Sequence, residues 1–111
     1  MASHSPDRLR AIAADLLEAA GAPRDEAETV ARHCIEANLA GHDSHGIIQI
    51  PSYVDRIGKG HIVPGAKFEV IQESPTTTVV DAHWGFGYVQ TERAMQMTIE
   101  KAKTQNVAAC T

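Results

Sequence analysis

The feature that most constrains the fold is a change of hydrophobic period across Gly58-Lys59-Gly60-His61-Ile62-Val63-Pro64-Gly65, a segment that is loop by composition. Before it, apolar residues recur at helical spacing. After it, alternation at Phe68 and Val70, and again at Thr77 and Val79, marks strands. The chain reads as α/β: a helical segment over residues 1–65, then the beginning of an α/β domain over 66–111.

Ser5-Pro6-Asp7 combines an N-cap hydroxyl, a proline at the first helical position and an acid near the positive end of the dipole, so a helix starts there. Leu9, Ile12, Ala13, Leu16, Leu17 and Ala20 fall on one face, with Arg10, Asp15 and Glu18 pointing outward, and Gly21 ends the run. A second helix spans about Asp25 to Leu39, with Ala27, Val30, Ala31, Cys34, Ile35 and Asn38 along its apolar stripe and Gly41 as its stop. A short third helix begins near Pro51 and carries Tyr53, Val54 and Ile57.

Ser74-Pro75 separates the two alternating stretches, which predicts a β-hairpin. Tyr88, Thr91, Met95, Thr98, Ile99 and Ala102 mark a long fourth helix of about 16 residues, closed by Asn106. Val107 to Thr111 is then an apolar run where a parallel strand should start. Such a strand needs neighbours and cover on both faces, so the domain reads as incomplete.

Composition closes several routes. A hydrophobic content of 43% with 22% charged residues belongs to a globular chain, not a disordered one. A net charge of −4 offers no footprint for nucleic acid. There is no signal-like apolar region and no run of about 18 apolar residues, so neither secretion nor a membrane span is expected and the cytoplasm is the default. Cys34 and Cys110 lack a CxxC or Cys/His partner and read as small buried hydrophobes.

The densest chemistry lies in His42-Asp43-Ser44-His45-Gly46, between the second and third helices. An imidazole side chain can take or give a proton, which makes His45 a candidate general acid/base, with Asp43 or Ser44 placed to orient a ring. Gly46 would allow a ligand close to the backbone, and Ser44 could hydrogen-bond it. A capped helix terminus with solvated histidines accounts for the spacing about as well. A metal held by His42, Asp43 and His61 is a further, weaker reading. Gly85-Phe86-Gly87 lacks the third glycine of a dinucleotide fingerprint and reads as a strand-to-helix turn. Trp84 and Phe86 beside it read as core or interface aromatics, with Trp84 partly exposed.

Taken in order, His42 to Gly46, Pro51-Ser52-Tyr53-Val54, Gly60-His61-Ile62-Val63-Pro64, Val80-Asp81-Ala82, Gly85-Phe86-Gly87 and Arg93-Ala94-Met95 resemble the malate/L-lactate dehydrogenase-like family of NAD(P)-dependent oxidoreductases that lack a Rossmann fold. The resemblance covers essentially the whole chain and about the first third of a family member. It implies an incomplete part of that non-Rossmann fold, and hydride transfer between NAD or NADP and a 2-hydroxy or 2-keto acid, or a related imine. It places the catalytic acid/base at His45, a cofactor-side residue at Ser44 and substrate-side residues at Gln49 and Tyr53. Many members carry an arginine where this chain has Gln49, so a neutral amide stands where a cation would pair with a carboxylate. The resemblance also implies a homodimer and a cofactor site built mostly from later segments, so that the 111 residues alone are expected to be inactive.

A reading from another class is a non-enzymatic association module, pairing with itself or a longer homologue through the strand edge at Thr111.

Overall fold

The computed structural model describes residues 3–111, which divide into two compact units, one running to Gly65 and one from Ala66 to Thr111. The first is helical. Helix α1 (Pro6–Ala19) is capped by Ser5, whose hydroxyl accepts the Arg8 N–H at 3.2 Å, and α2 (Arg24–Leu39) packs against it. Two single 3₁₀ turns, Asp43–His45 and Ile47–Gln49, then lead into α3 (Ile50–Gly58), with Pro51 in its first turn. Ala13, Ala14 and Leu17 of α1, Ala27, Val30, Ala31, Cys34 and Ile35 of α2, and Ile50 of α3 form the buried interior.

The stripe on α2 is as the spacing predicts, but that on α1 is not. Ile12 and Leu16 stay 43% and 49% exposed, while Ala14, outside the expected face, is buried. The small side chains Ala13 and Ala14 let α2 approach on their side, and the stripe is buried only where a partner helix covers it. Glu26 also departs from the simple reading of an acid at a helix start. It is 3% exposed and its carboxylate accepts the Gly65 N–H at 2.9 Å, tying the end of the loop to α2.

The second unit is a three-stranded sheet, with β1 (Glu69–Glu73) antiparallel to β2 (Thr77–Asp81) and β3 (Ala109–Cys110) parallel to β2. The hairpin turn is set by Ser74, whose Oγ accepts the Thr77 N–H at 2.9 Å. Helix α4 (Gly87–Gln105) follows β2 and ends at Asn106, which takes the left-handed conformation (φ +67°). Lys101 of α4 reaches the Ser74 carbonyl at 2.6 Å and the Glu73 carboxylate at 2.8 Å, fastening the helix to the turn. The Gly85-Phe86-Gly87 stretch is the strand-to-helix turn expected.

Which strand face is buried differs from the expectation. Thr78 is 2% exposed and Val80 half-buried, whereas Val70 and Val79 are exposed. A bulge between Val70 and Gln72 shifts the register, and α4, which packs on β2 and β3, decides which face is covered. On α4 itself, Met95 and Ile99 remain exposed, and Val89 and Gln90 are buried instead. Trp84 is not a core residue. It is 80% exposed with φ +62°, because the Asp81 carboxylate accepts the His83 N–H at 2.8 Å and turns the chain outward, while Phe86 is buried. Of the cysteines, Cys34 is buried and Cys110 only half so. Among the described residues no helix is long and apolar enough to cross a membrane.

Two outcomes are expected. Leu17→Ala should cost about 2–5 kcal/mol in urea unfolding and Leu16→Ala less than about 1 kcal/mol, because only the first opens a cavity; equal costs would contradict the packing of α1. Burial pushes the Cys34 thiol up to about 11 from an ordinary 9.0. The unfolded chain therefore releases its proton first as pH rises, so stability contributed by the neutral thiol holds below about pH 9 and is lost on the way to about 11. Comparing unfolding midpoints of the protein and Cys34→Ala across that window reads the effect; parallel profiles would contradict it.

Candidate functional site

The motif is delivered by the end of α2. Gly41 takes φ +79°, so its N–H reaches the Asn38 carbonyl at 3.0 Å and the His42 N–H reaches Ala37 at 2.8 Å, closing the helix and releasing the chain. The first 3₁₀ turn follows at once, with His45 N–H on the His42 carbonyl and Gly46 N–H on the Asp43 carbonyl, both at 3.0 Å. The Gln49 N–H then returns to the Gly46 carbonyl at 3.0 Å and starts α3.

Side chains hold this path in place. Asn38, on the last turn of α2, donates through Nδ2 to Asp43 Oδ1 at 2.7 Å and accepts the Ile47 N–H on Oδ1 at 2.8 Å. Gln49 donates through Nε2 to the Ser44 carbonyl at 2.8 Å. Gly46 is buried, and a Cβ there would overlap the Asn38 amide. The space that a side chain would take at this glycine is filled by the Asn38 amide.

Ser44 Oγ lies 3.0 Å from His45 Nδ1, both side chains at the surface. A hydroxyl both donates and accepts, so it can take the hydrogen of an Nδ1–H ring. With Nδ1 as the donor, Nε2 is the ring nitrogen left without a partner from Ser44 and open to a hydrogen bond from elsewhere. The His42 and His45 rings meet edge to face with centroids 4.5 Å apart. Asp43 turns to Asn38, leaving Ser44 as the side chain that orients the ring.

The two 3₁₀ turns thus bring Ser44, His45 and Gln49 together, and Tyr53 stands half-buried on the following turn of α3. His61 does not join His42 and Asp43. Among the described residues no three His, Cys, Asp or Glu side chains converge to hold a metal ion, so that reading is set aside. Asn38 is the residue that sequence reasoning placed in the wrong role. An amide at the end of an otherwise apolar stripe, one turn before a polar run, was the available signal.

Comparison with known proteins follows the same lines. The description of the malate/L-lactate dehydrogenase family matches residues 4–111. An L-sulfolactate dehydrogenase of Methanocaldococcus jannaschii is 34% identical over 92% of this chain and 30% of its own length. A hydroxycarboxylate dehydrogenase B of Escherichia coli is 43% identical over 80% of this chain and 25% of its own. The crystal structure of a malate dehydrogenase from Entamoeba histolytica superposes with a TM-score of 0.87 at 40% identity, covering 92% of this chain and 28% of that one. The chain spans about 30% or less of these relatives and corresponds to their N-terminal part.

Gly46→Ala should drive the Asn38 amide out of both hydrogen bonds and lower stability by about 1–3 kcal/mol in denaturant unfolding. A variant as stable as the parent would show that the amide does not fill this space.

Proposed function

The chain belongs to the malate/L-lactate dehydrogenase family, and from that premise we propose that it is the N-terminal portion of an oxidoreductase transferring hydride between NAD or NADP and a 2-hydroxy or 2-keto acid. The observation that carries this reading is the 3.0 Å contact of Ser44 Oγ with His45 Nδ1 on a motif held at three points.

His45 is the general acid/base. In oxidation, Nε2 takes the proton of the substrate hydroxyl as hydride leaves the same carbon; in reduction it returns that proton to the developing alkoxide. Ser44 holds Nδ1–H and so stabilises the imidazolium formed in the oxidative direction. A bound nicotinamide cofactor supplies the hydride acceptor. The Ser44 hydroxyl fits a polar group of that cofactor, because its contact with His45 uses only part of its hydrogen-bonding capacity.

Gln49 and Tyr53 face the substrate in this proposal. One amide hydrogen of Gln49 is taken by the Ser44 carbonyl, and the second remains for an acid group of the substrate. A neutral donor there contributes a hydrogen bond without a full positive charge, which favours no single anion strongly. The relatives' names include malate, sulfolactate and hydroxycarboxylate, and the substrate class proposed is the 2-hydroxy acid common to them. A cytoplasmic homodimer belongs to the same proposal. Leu16 and Ile48, exposed in the first unit, and Met95, exposed in the second, are surface that such an assembly would cover. The 111 residues by themselves are proposed not to turn over.

The test is hydride transfer in the complete protein with malate, lactate and sulfolactate and either cofactor, followed by His45→Asn. The variant should lose about 100-fold or more in kcat. A kcat within about tenfold of the parent would remove His45 from the chemistry.

A further inference from the structure

We propose that Asn38 is a positioning residue for His45, coupling the helical core to the acid/base; this rests on the role of His45 proposed above. The side-chain amide brackets the histidine. It donates to Asp43, two residues before His45, and accepts from the backbone of Ile47, two residues after it. Both side-chain hydrogen bonds of Asn38 end on the motif or its immediate flank, and none of them on the interior.

The anchor behind this clamp is the core itself. Asn38 continues the stripe of Ala27, Val30, Ala31, Cys34 and Ile35, which are all buried, so its backbone is set by the packing of α2. Its side chain is short and cannot wander far from that backbone. Gly46 removes the one Cβ that would collide with the amide. Gln49 adds a tether at the Ser44 carbonyl. The imidazole is an exposed group whose flanks are fixed to a buried helix face, and a misplacement of about 1 Å at a reacting group costs up to about 100-fold in rate.

The chemistry at position 38 is specific. An amide presents a donor to the Asp43 carboxylate and an acceptor to the Ile47 N–H at the same time. A carboxylate would keep the shape and the acceptor but set like charges against each other at 2.7 Å. Exchanging the two groups restores the pair, because a carboxylate at 38 accepts from both the Ile47 N–H and an amide at 43.

The experiment measures kcat and KM in the complete protein with the 2-hydroxy acid, among malate, lactate and sulfolactate, that it oxidises fastest. Asn38→Ala and Asn38→Asp should each lower kcat by about 10–100-fold with KM within about threefold, and Asn38→Asp combined with Asp43→Asn should recover to within about threefold of the parent. In a His45→Asn background, Asn38→Ala should cost less than about threefold, since a positioning residue has nothing left to position. A kcat within about threefold in Asn38→Ala, an undiminished loss in the His45→Asn background, or no recovery in the exchanged pair overturns the proposal. Should Asn38→Ala fail to fold by circular dichroism, the exchanged pair alone decides. If His45→Asn keeps its kcat within about tenfold, the acid/base reading itself has failed, whereas a large loss there with an indifferent Asn38 removes only the positioning role.

Discussion

The N-terminal unit depends on the apolar seam between α1 and α2. Ala13, Ala14, Ala27 and Ala31 are buried there, and their small side chains let the two helices lie close, while Leu17, Val30, Cys34 and Ile35 fill the space on either side. Full burial of a side chain such as Leu17 is worth about 1.5–3 kcal/mol. On the rim, Arg24 meets Asp15, Glu18 and Glu28, and these partners hold its guanidinium charged. Exposed pairs of this kind add little energy. Their service is to fix the start of α2 against α1, while the seam fixes its length and direction.

That direction is what the motif inherits. Ser44 and His45 lie at the surface, where side chains are ordinarily free to move. Here they sit on a single 3₁₀ turn whose two ends are tied back to the last turn of α2 and to the start of α3. Accessibility and fixed geometry are met by different atoms, the imidazole at the surface and its supports partly below it. In the second unit, Lys101 plays a comparable part by binding the hairpin turn to α4.

Much of this was legible because the signals are local. Ser5, Gly41, Ser74 and Asn106 each act within a few residues of themselves, and the helices, the hairpin and the parallel β3 stand where those residues and the hydrophobic periods point. The motif itself was legible as well, through its density of polar groups. What could not be read is contact between distant residues. Ile12 and Leu16 share a stripe with Leu17 yet stay exposed, and the alternation in β2 defines two faces without saying that Thr78 lies on the covered one. Trp84, expected as core or interface and partly exposed, stands 80% exposed, its degree of exposure being set by what packs around it and not by its own type.

The sequence by itself determined the elements, their order and the polar motif from His42 to Gly46, since backbone propensity, capping and side-chain chemistry are properties of short stretches. Only the tertiary structure decided that Asn38 reaches over Gly46 to grip both flanks of His45, and that Gln49 holds Ser44. The reason is physical. A side chain at the end of an apolar stripe has the same spacing whether it packs, faces water or binds a loop, and which of these it does depends on where the chain goes after the helix ends.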